Sequence, residues 1–168
     1  MNDLNQEVTI RLIEPKDNAS VKTLVLETLA EFGLVGEGFA GVDAEMEDMY
    51  AAYNNDLSAY FVIELANKIE GVGGYAPLVG TEPGTVAELR KMYLSSKLRG
   101  QGSGQKLLLL CINQAKDKQY KSMYLETVPT MKAAQKLYLS QGFNYLSNRL
   151  GDTGHSGCHV CMLRKLNV

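Results

Sequence analysis

An α+β domain of mixed α/β character is predicted, with a mostly antiparallel central sheet of about six or seven strands flanked by about four helices. Three observations predict it. Short β-prone runs recur at residues 8–12, 59–66, 69–78, 85–94, 121–127, 143–146 and 157–166. Between them lie stretches that keep helical spacing, two before the second strand and two after the fourth. The resulting order, β-α-α-β-β-β-α-β-α-β-β, offers hairpins and one parallel crossover, carried by the helix from Gly104 to Lys118.

Val8, Ile10 and Leu12 alternate with Thr9 and Arg11, which gives the first strand one apolar face. After Pro15, Asp17 or Asn18 is placed to cap a helix whose Val21, Leu24, Val25, Leu29 and Phe32 keep helical spacing until Gly33 stops it. Residues 33–41 (GLVGEGFAG) form a glycine-rich connection. Asp43 is then expected to cap a second helix, with Glu45, Glu47 and Asp48 near its positive end and Met46, Met49, Tyr50 and Tyr53 along one side. Residues 59–66 and 69–78 read as a hairpin turning at Asn67-Lys68, and Gly73 and Gly74 within it mark a bulge or a close approach of another group. Pro83-Gly84 turns the chain into a strand running from Thr85 to about Leu94. After the crossover helix and the strand 121–127, Thr130 is expected to cap a fourth helix with Met131, Ala134, Leu137 and Tyr138 on one side, closed by Gly142. A short strand at 143–146, a polar loop at 147–156 and a terminal strand at 157–166 complete the chain.

At 168 residues and 45% apolar content the chain is long enough for one substantial core and short for two, so a single domain over 1–168 is expected. A net charge of −2 and the lack of a long basic run argue against nucleic acid or an anionic membrane as partner, and slightly favour a cationic or neutral small molecule. No apolar run reaches about 18 residues and MNDLNQEVTI does not read as a signal peptide, which makes a cytoplasmic location the expectation. Cys111, Cys158 and Cys161 are an odd, sparse set, so reduced thiols are expected. His155, Cys158, His159 and Cys161 resemble zinc ligands at first sight. In a β-rich run, however, residues three apart face opposite sides, and no second ligand pair occurs, so no metal is expected.

Residues 86–110 (VAELRKMYLSSKLRGQGSGQKLLLL) organise the rest. A strand passes through a turn bearing Gly100, Gly102 and Gly104 into a leucine-rich helix. Such a turn suits a phosphate-bearing ligand, because glycines let backbone N–H groups approach the anion and the first helical turn points its unpaired N–H groups at it. A P-loop is excluded: counted from Gly100, Gln105, Lys106 and Leu107 stand where Gly-Lys-Ser/Thr is needed. A dinucleotide fingerprint also meets Gln105 in place of its third glycine. Arg99-Gly100-Gln101-Gly102-Ser103-Gly104 does match the pattern Gln/Arg-x-x-Gly-x-Gly/Ala, behind Glu88-Leu89-Arg90-Lys91-Met92-Tyr93-Leu94. In that strand the apolar positions Leu89 and Met92 are three apart before Leu94 resumes the even spacing, a phase slip that predicts a β-bulge with unpaired backbone N–H groups.

With these residues the chain resembles the GNAT family of N-acetyltransferases, and Ala133-Ala134-Gln135-Lys136-Leu137-Tyr138 followed by Gly142-Phe143 is similar to that family's second signature. The resemblance covers essentially the whole chain. It implies the GNAT-like acyl-CoA N-acyltransferase fold and acetyl-CoA (coenzyme A) as co-substrate, with Arg99 supporting a pyrophosphate loop whose N–H donors come from Gly102, Ser103, Gly104 and Gln105, beside Gly100 and Gln101. It further implies that the backbone of Met92, Tyr93 and Leu94 bonds the pantetheine, with the Met92 N–H on the thioester carbonyl, and that Ala134 lies against the cofactor. Glu88 stands where some members place a general base, and Tyr138 aligns with the tyrosine that protonates the thiolate. Outside the resemblance, a strand glutamate commonly bonds a neighbour, and a tyrosine on an apolar helix face is commonly core.

Glu126, at a strand end, is read as structural, and His155 or Cys158 as lining an acceptor pocket. The expected function is acetyl transfer to a primary amine of a small molecule or peptide by direct attack, since no cysteine occupies a motif position. The competing class is a non-catalytic CoA-binding sensor of the same fold, distinguished by the absence of turnover. The resemblance also allows a homodimer.

Overall fold

A computed structural model describes residues 7–166. In chain order the elements are β1 (Val8–Leu12), α1 (Asn18–Glu31), α2 (Met49–Tyr53), β2 (Ala59–Leu65), β3 (Lys68–Pro77), β4 (Val86–Leu94), α3 (Ser103–Asp117), β5 (Ser122–Thr127), α4 (Lys132–Ser140), β6 (Asn144–Leu146) and β7 (Val160–Lys165), with 3-10 turns at Pro15–Asp17, Ala40–Val42 and Ala44–Glu47. The strands form one seven-stranded sheet ordered β1-β2-β3-β4-β5-β7-β6. Every neighbouring pair is antiparallel except β4 and β5, which α3 connects as the predicted crossover.

Both faces of the sheet are covered, which is why residues 59–63 are all apolar. Phe61 and Ile63 of β2 pack with Leu107, Leu108 and Ile112 of α3 on one face. Tyr60 and Val62, which alternate with them in sequence, pack with Val21, Val25 and Leu29 of α1 and Met49 and Tyr53 of α2 on the other. Gly74 is the close approach expected in β3. A Cβ there would lie 2.2 Å from the Ala59 carbonyl oxygen and 2.5 Å from the Tyr60 ring. Gly74→Ala is therefore expected to destabilise the protein by about 3 kcal/mol, seen as a lower urea midpoint at unchanged slope.

Three local expectations need correction. The helix expected to begin at Asp43 is a 3-10 turn, Ala44–Glu47, followed by the short α2, whose cap is Asp48, accepting from the Ala51 N–H at 2.9 Å. Asp17 does not cap α1 with its side chain, because Arg11 claims the carboxylate at 2.7 and 3.0 Å. Thr130 gives way to Met131 at the N-cap of α4, and that end takes no side-chain cap.

Candidate active site

β4 and β5 are in register only where Val86 meets Ser122, Ala87 meets Met123 and Glu88 meets Tyr124, and beyond Glu88 they part. A bend in β4 accompanies the parting. The register against β3 passes from Val72–Tyr93 to Gly74–Arg90, so Lys91 and Met92 face Gly73 alone. Lys91 sits in the left-handed region at φ 45°. This is the bulge that the phase slip predicts, and it takes backbone groups of the extra residue out of the ladder. One of them is reused at once: the Tyr60 hydroxyl donates to the Lys91 carbonyl at 2.7 Å.

Between β4 and α4 lies a groove of about 540 Å³. Met92, Tyr93 and Leu94 form one wall, Ala134 and Tyr138 the other, and Arg99, Gly100, Gly102, Gly104 and Gln105 line its end. At that end Gly100 and Gly102 have φ of 72° and 82°, and a Cβ on either would meet nothing within 4 Å. Gly102 is the N-cap of the 15-residue α3, so the open space lies at a positive helix end, as a pyrophosphate requires. Arg99 braces the loop: its Nε donates to the Leu94 carbonyl at 2.8 Å, while its guanidinium holds Glu31 and stands 5.4 Å over the Phe32 ring. Gln101 and Ser103 are outside the lining; the Gln101 amide donates to the Lys97 carbonyl at 2.7 Å and Ser103 is buried.

A small inner pocket of about 70 Å³ continues the groove. Met92, Tyr93, Met131, Ala134 and Tyr138 line both spaces. Glu88, at the fork, and Tyr138 thus share the inner pocket, and His155 and Cys158 also line it. Burial pushes the Glu88 carboxyl above its usual value, and Arg90, whose Nε donates to Glu88 Oε2 at 2.7 Å, offsets this only in part. Burial, with a smaller effect of Cys111, pushes the Tyr138 phenol up to about 12. Tyr138 also packs against Phe143 with ring centroids 5.9 Å apart.

On the far side a polar cavity of about 260 Å³ adjoins the inner pocket through Glu88, Arg90, Lys91 and His155. Asp43, Glu45 and Thr153 complete most of its lining. A continuous chain of close polar contacts runs around it. His155 Nε2 is 2.9 Å from Asp43, Asp43 accepts from Lys91 at 2.6 Å, Lys91 also bonds Glu45, and Glu45 lies 3.5 Å from Arg90, which holds Glu88. Burial raises Asp43, but the hydrogen bond from His155 and the charge of Lys91 outweigh it and hold the carboxyl below its usual value. Glu126 has the structural role expected of it: with a side chain only 1% exposed, it accepts from Tyr124 at 2.8 Å and Thr153 at 2.7 Å and pairs with Arg149, tying the 147–156 loop to β5.

The sequence reading gives Asp43 and Glu45 only places at a helix end, and Arg90 and Lys91 no site role. A signal was available. Two adjacent cations at the phase slip of a strand with buried neighbours require anionic partners, and the acidic stretch 43–48 is the uncommitted supply. Among the described residues no group of three or more His, Cys, Asp or Glu could hold a metal ion.

The sequence model of the Acetyltransferase (GNAT) family matches residues 26–143. The uncharacterized N-acetyltransferase YjgM of Escherichia coli is 36% identical over 162 residues, covering 96% of each chain. A GNAT-family acetyltransferase of Staphylococcus aureus superposes with a TM-score of 0.79 at 19% identity, over 96% of this chain and 100% of its own. The PaiA N-acetyltransferase of Thermoplasma acidophilum, solved in complex with coenzyme A, superposes with a TM-score of 0.70 at 15% identity, over 95% of this chain and 99% of its own. At these identities the two solved structures bear on the fold alone.

Proposed function

This chain belongs to the acetyltransferase (GNAT) family, and from that premise we propose that it transfers an acetyl group from acetyl-CoA to a primary amine by direct attack, as one domain working in the cytoplasm. Among the described residues no helix is long and apolar enough to cross a membrane.

The observation that carries the proposal is the series of three spaces. The groove with its glycine end takes the CoA, the polar cavity admits the amine, and the inner pocket between them is lined by both Glu88 and Tyr138. A primary amine resembling lysine is protonated at neutral pH and has no lone pair to offer. Glu88 Oε2 is committed to Arg90, so Oε1 accepts the amine proton, directly or through a water. The freed nitrogen then bonds the acyl carbon. As negative charge develops on the acyl oxygen, the backbone N–H of Met92 at the bulge stabilises it. When the carbon–sulfur bond breaks, Tyr138 gives its proton to the departing sulfur, the new amide nitrogen sheds its remaining extra proton to solvent, and solvent exchange restores Tyr138 and clears the proton from Glu88.

Thiol release from acetyl-CoA, followed across a panel of monoamines, diamines, amino acids and lysine peptides, tests the proposal. Amine-dependent release supports it. Tight CoA binding with no release on any acceptor would instead identify a CoA sensor of the same fold.

A further inference from the structure

Lys91 occupies a position that glycine would serve with less strain, since the bulge demands φ 45° and L side chains avoid that region. Its side chain is also 1% exposed, and lysine is almost never so buried unless paired. Neither the bulge nor the CoA groove needs an ammonium there. The groups it touches lie on the acceptor side: Asp43 Oδ2 at 2.6 Å and Glu45 Oε1, both from the segment that walls the polar cavity. These two carboxylates have further partners, His155 for Asp43, and Arg90 together with the Tyr53 hydroxyl (2.8 Å) for Glu45. Even so, removing the ammonium would leave the cavity with three carboxylates facing one arginine and a histidine.

We propose that Lys91 is a specificity-determining residue of the acceptor site: its ammonium fills an anionic subsite between Asp43 and Glu45 that would otherwise receive the second cationic group of a diamine or polyamine. The proposal rests on the acetyltransferase reading, with the amine entering through the polar cavity towards Glu88. Glu88 and Lys91 line the same cavity and are linked around it through Arg90 and Glu45, so an amine at Glu88 has its second cationic group within reach of this subsite. With the subsite already occupied by the protein's own cation, a second ammonium meets a buried like charge. The wild type therefore gains nothing from a second amine on the acceptor.

The test compares the wild type with Lys91→Gly, which suits the backbone and vacates the subsite, and Lys91→Met, which removes the charge but keeps most of the bulk. With acetyl-CoA saturating, kcat/KM is measured for putrescine, cadaverine and spermidine against butylamine and pentylamine. The wild type is expected to show no diamine preference beyond the doubling of amine groups, and Lys91→Gly to raise the diamine-to-monoamine ratio by about tenfold or more, with Lys91→Met in between. In parallel, putrescine is titrated into each CoA-loaded protein while the unfolding midpoint is read. Putrescine should stabilise Lys91→Gly and leave the wild type unmoved. Folding of Lys91→Gly only when a diamine is supplied would be the same rescue. An unchanged ratio, a wild type that already favours diamines tenfold, or a Lys91→Gly protein that no diamine stabilises or rescues would overturn the proposal. Should the wild type turn over no amine at all, the acetyltransferase reading fails, and the midpoint titration decides the Lys91 subsite by itself.

Discussion

Glu88→Gln is expected to lower kcat/KM about 100- to 1,000-fold and to remove the rise of rate with pH that the carboxylate contributes. Burial raises the Glu88 carboxyl above the ordinary glutamate value of 4.5, so the fraction present as base grows as pH climbs through a region above that value. Glutamine has no such transition. A second rise, from ionisation of the acceptor amine, remains in the variant and moves with the pKa of whichever amine is used. The two limbs are thereby assigned by experiment: loss of the lower one with the upper one intact identifies Glu88 as the base, and a pH profile identical to that of the wild type removes it from that role. Stability offers an internal control. A folded-state value raised above the unfolded one means that the fold favours the neutral form, so the stability contributed is present below the unfolded value and lost as pH rises through the folded one. Glutamine is neutral throughout and still offers an oxygen to Arg90, so at neutral pH the unfolding midpoint is expected to hold while the rate collapses.

Tyr138→Phe is expected to lower kcat about 100-fold with little change in the KM for acetyl-CoA. With its phenol pushed up to about 12, Tyr138 keeps its proton at any pH where the protein would work, and it lines both the groove and the inner pocket. The ring's packing against Phe143 is kept by phenylalanine, so the change isolates the hydroxyl. A thiolate leaving group gains most from a nearby acid when it is intrinsically basic. Thioesters of more acidic thiols should thus recover part of the lost rate in the variant. Full kcat in Tyr138→Phe would return the residue to a packing role.

Much of the scaffold was legible because it follows from short-range periodicity. Alternation in β1, the apolar residues 59–63 of β2 and the helical spacing of α1 and α3 each report which faces are covered. Even the bulge was legible, since an extra residue in a strand shifts the two-residue alternation by one, as it does between Leu89 and Met92. The acceptor side was not. Asp43, Glu45 and Asp48 look like residues drawn to the positive end of a helix, but Asp43 and Glu45 are held by Lys91 and Arg90 more than 40 residues away, and those ion pairs favour two tight turns over a regular helix. Long-range pairing of this kind leaves no periodic trace. The position of β7 between β5 and β6 was likewise hidden, because order along the chain does not fix order across a sheet.

Among the described residues the groove and the polar cavity share no lining residue, and each adjoins the inner pocket. On the proposed reading each substrate has its own doorway, and neither has to leave before the other arrives. A single molecule with a pantetheine arm joined to an amine-bearing tail would thread both doorways at once. Each half would hold the other at high effective concentration, so such a bisubstrate inhibitor should bind far more tightly than either piece alone.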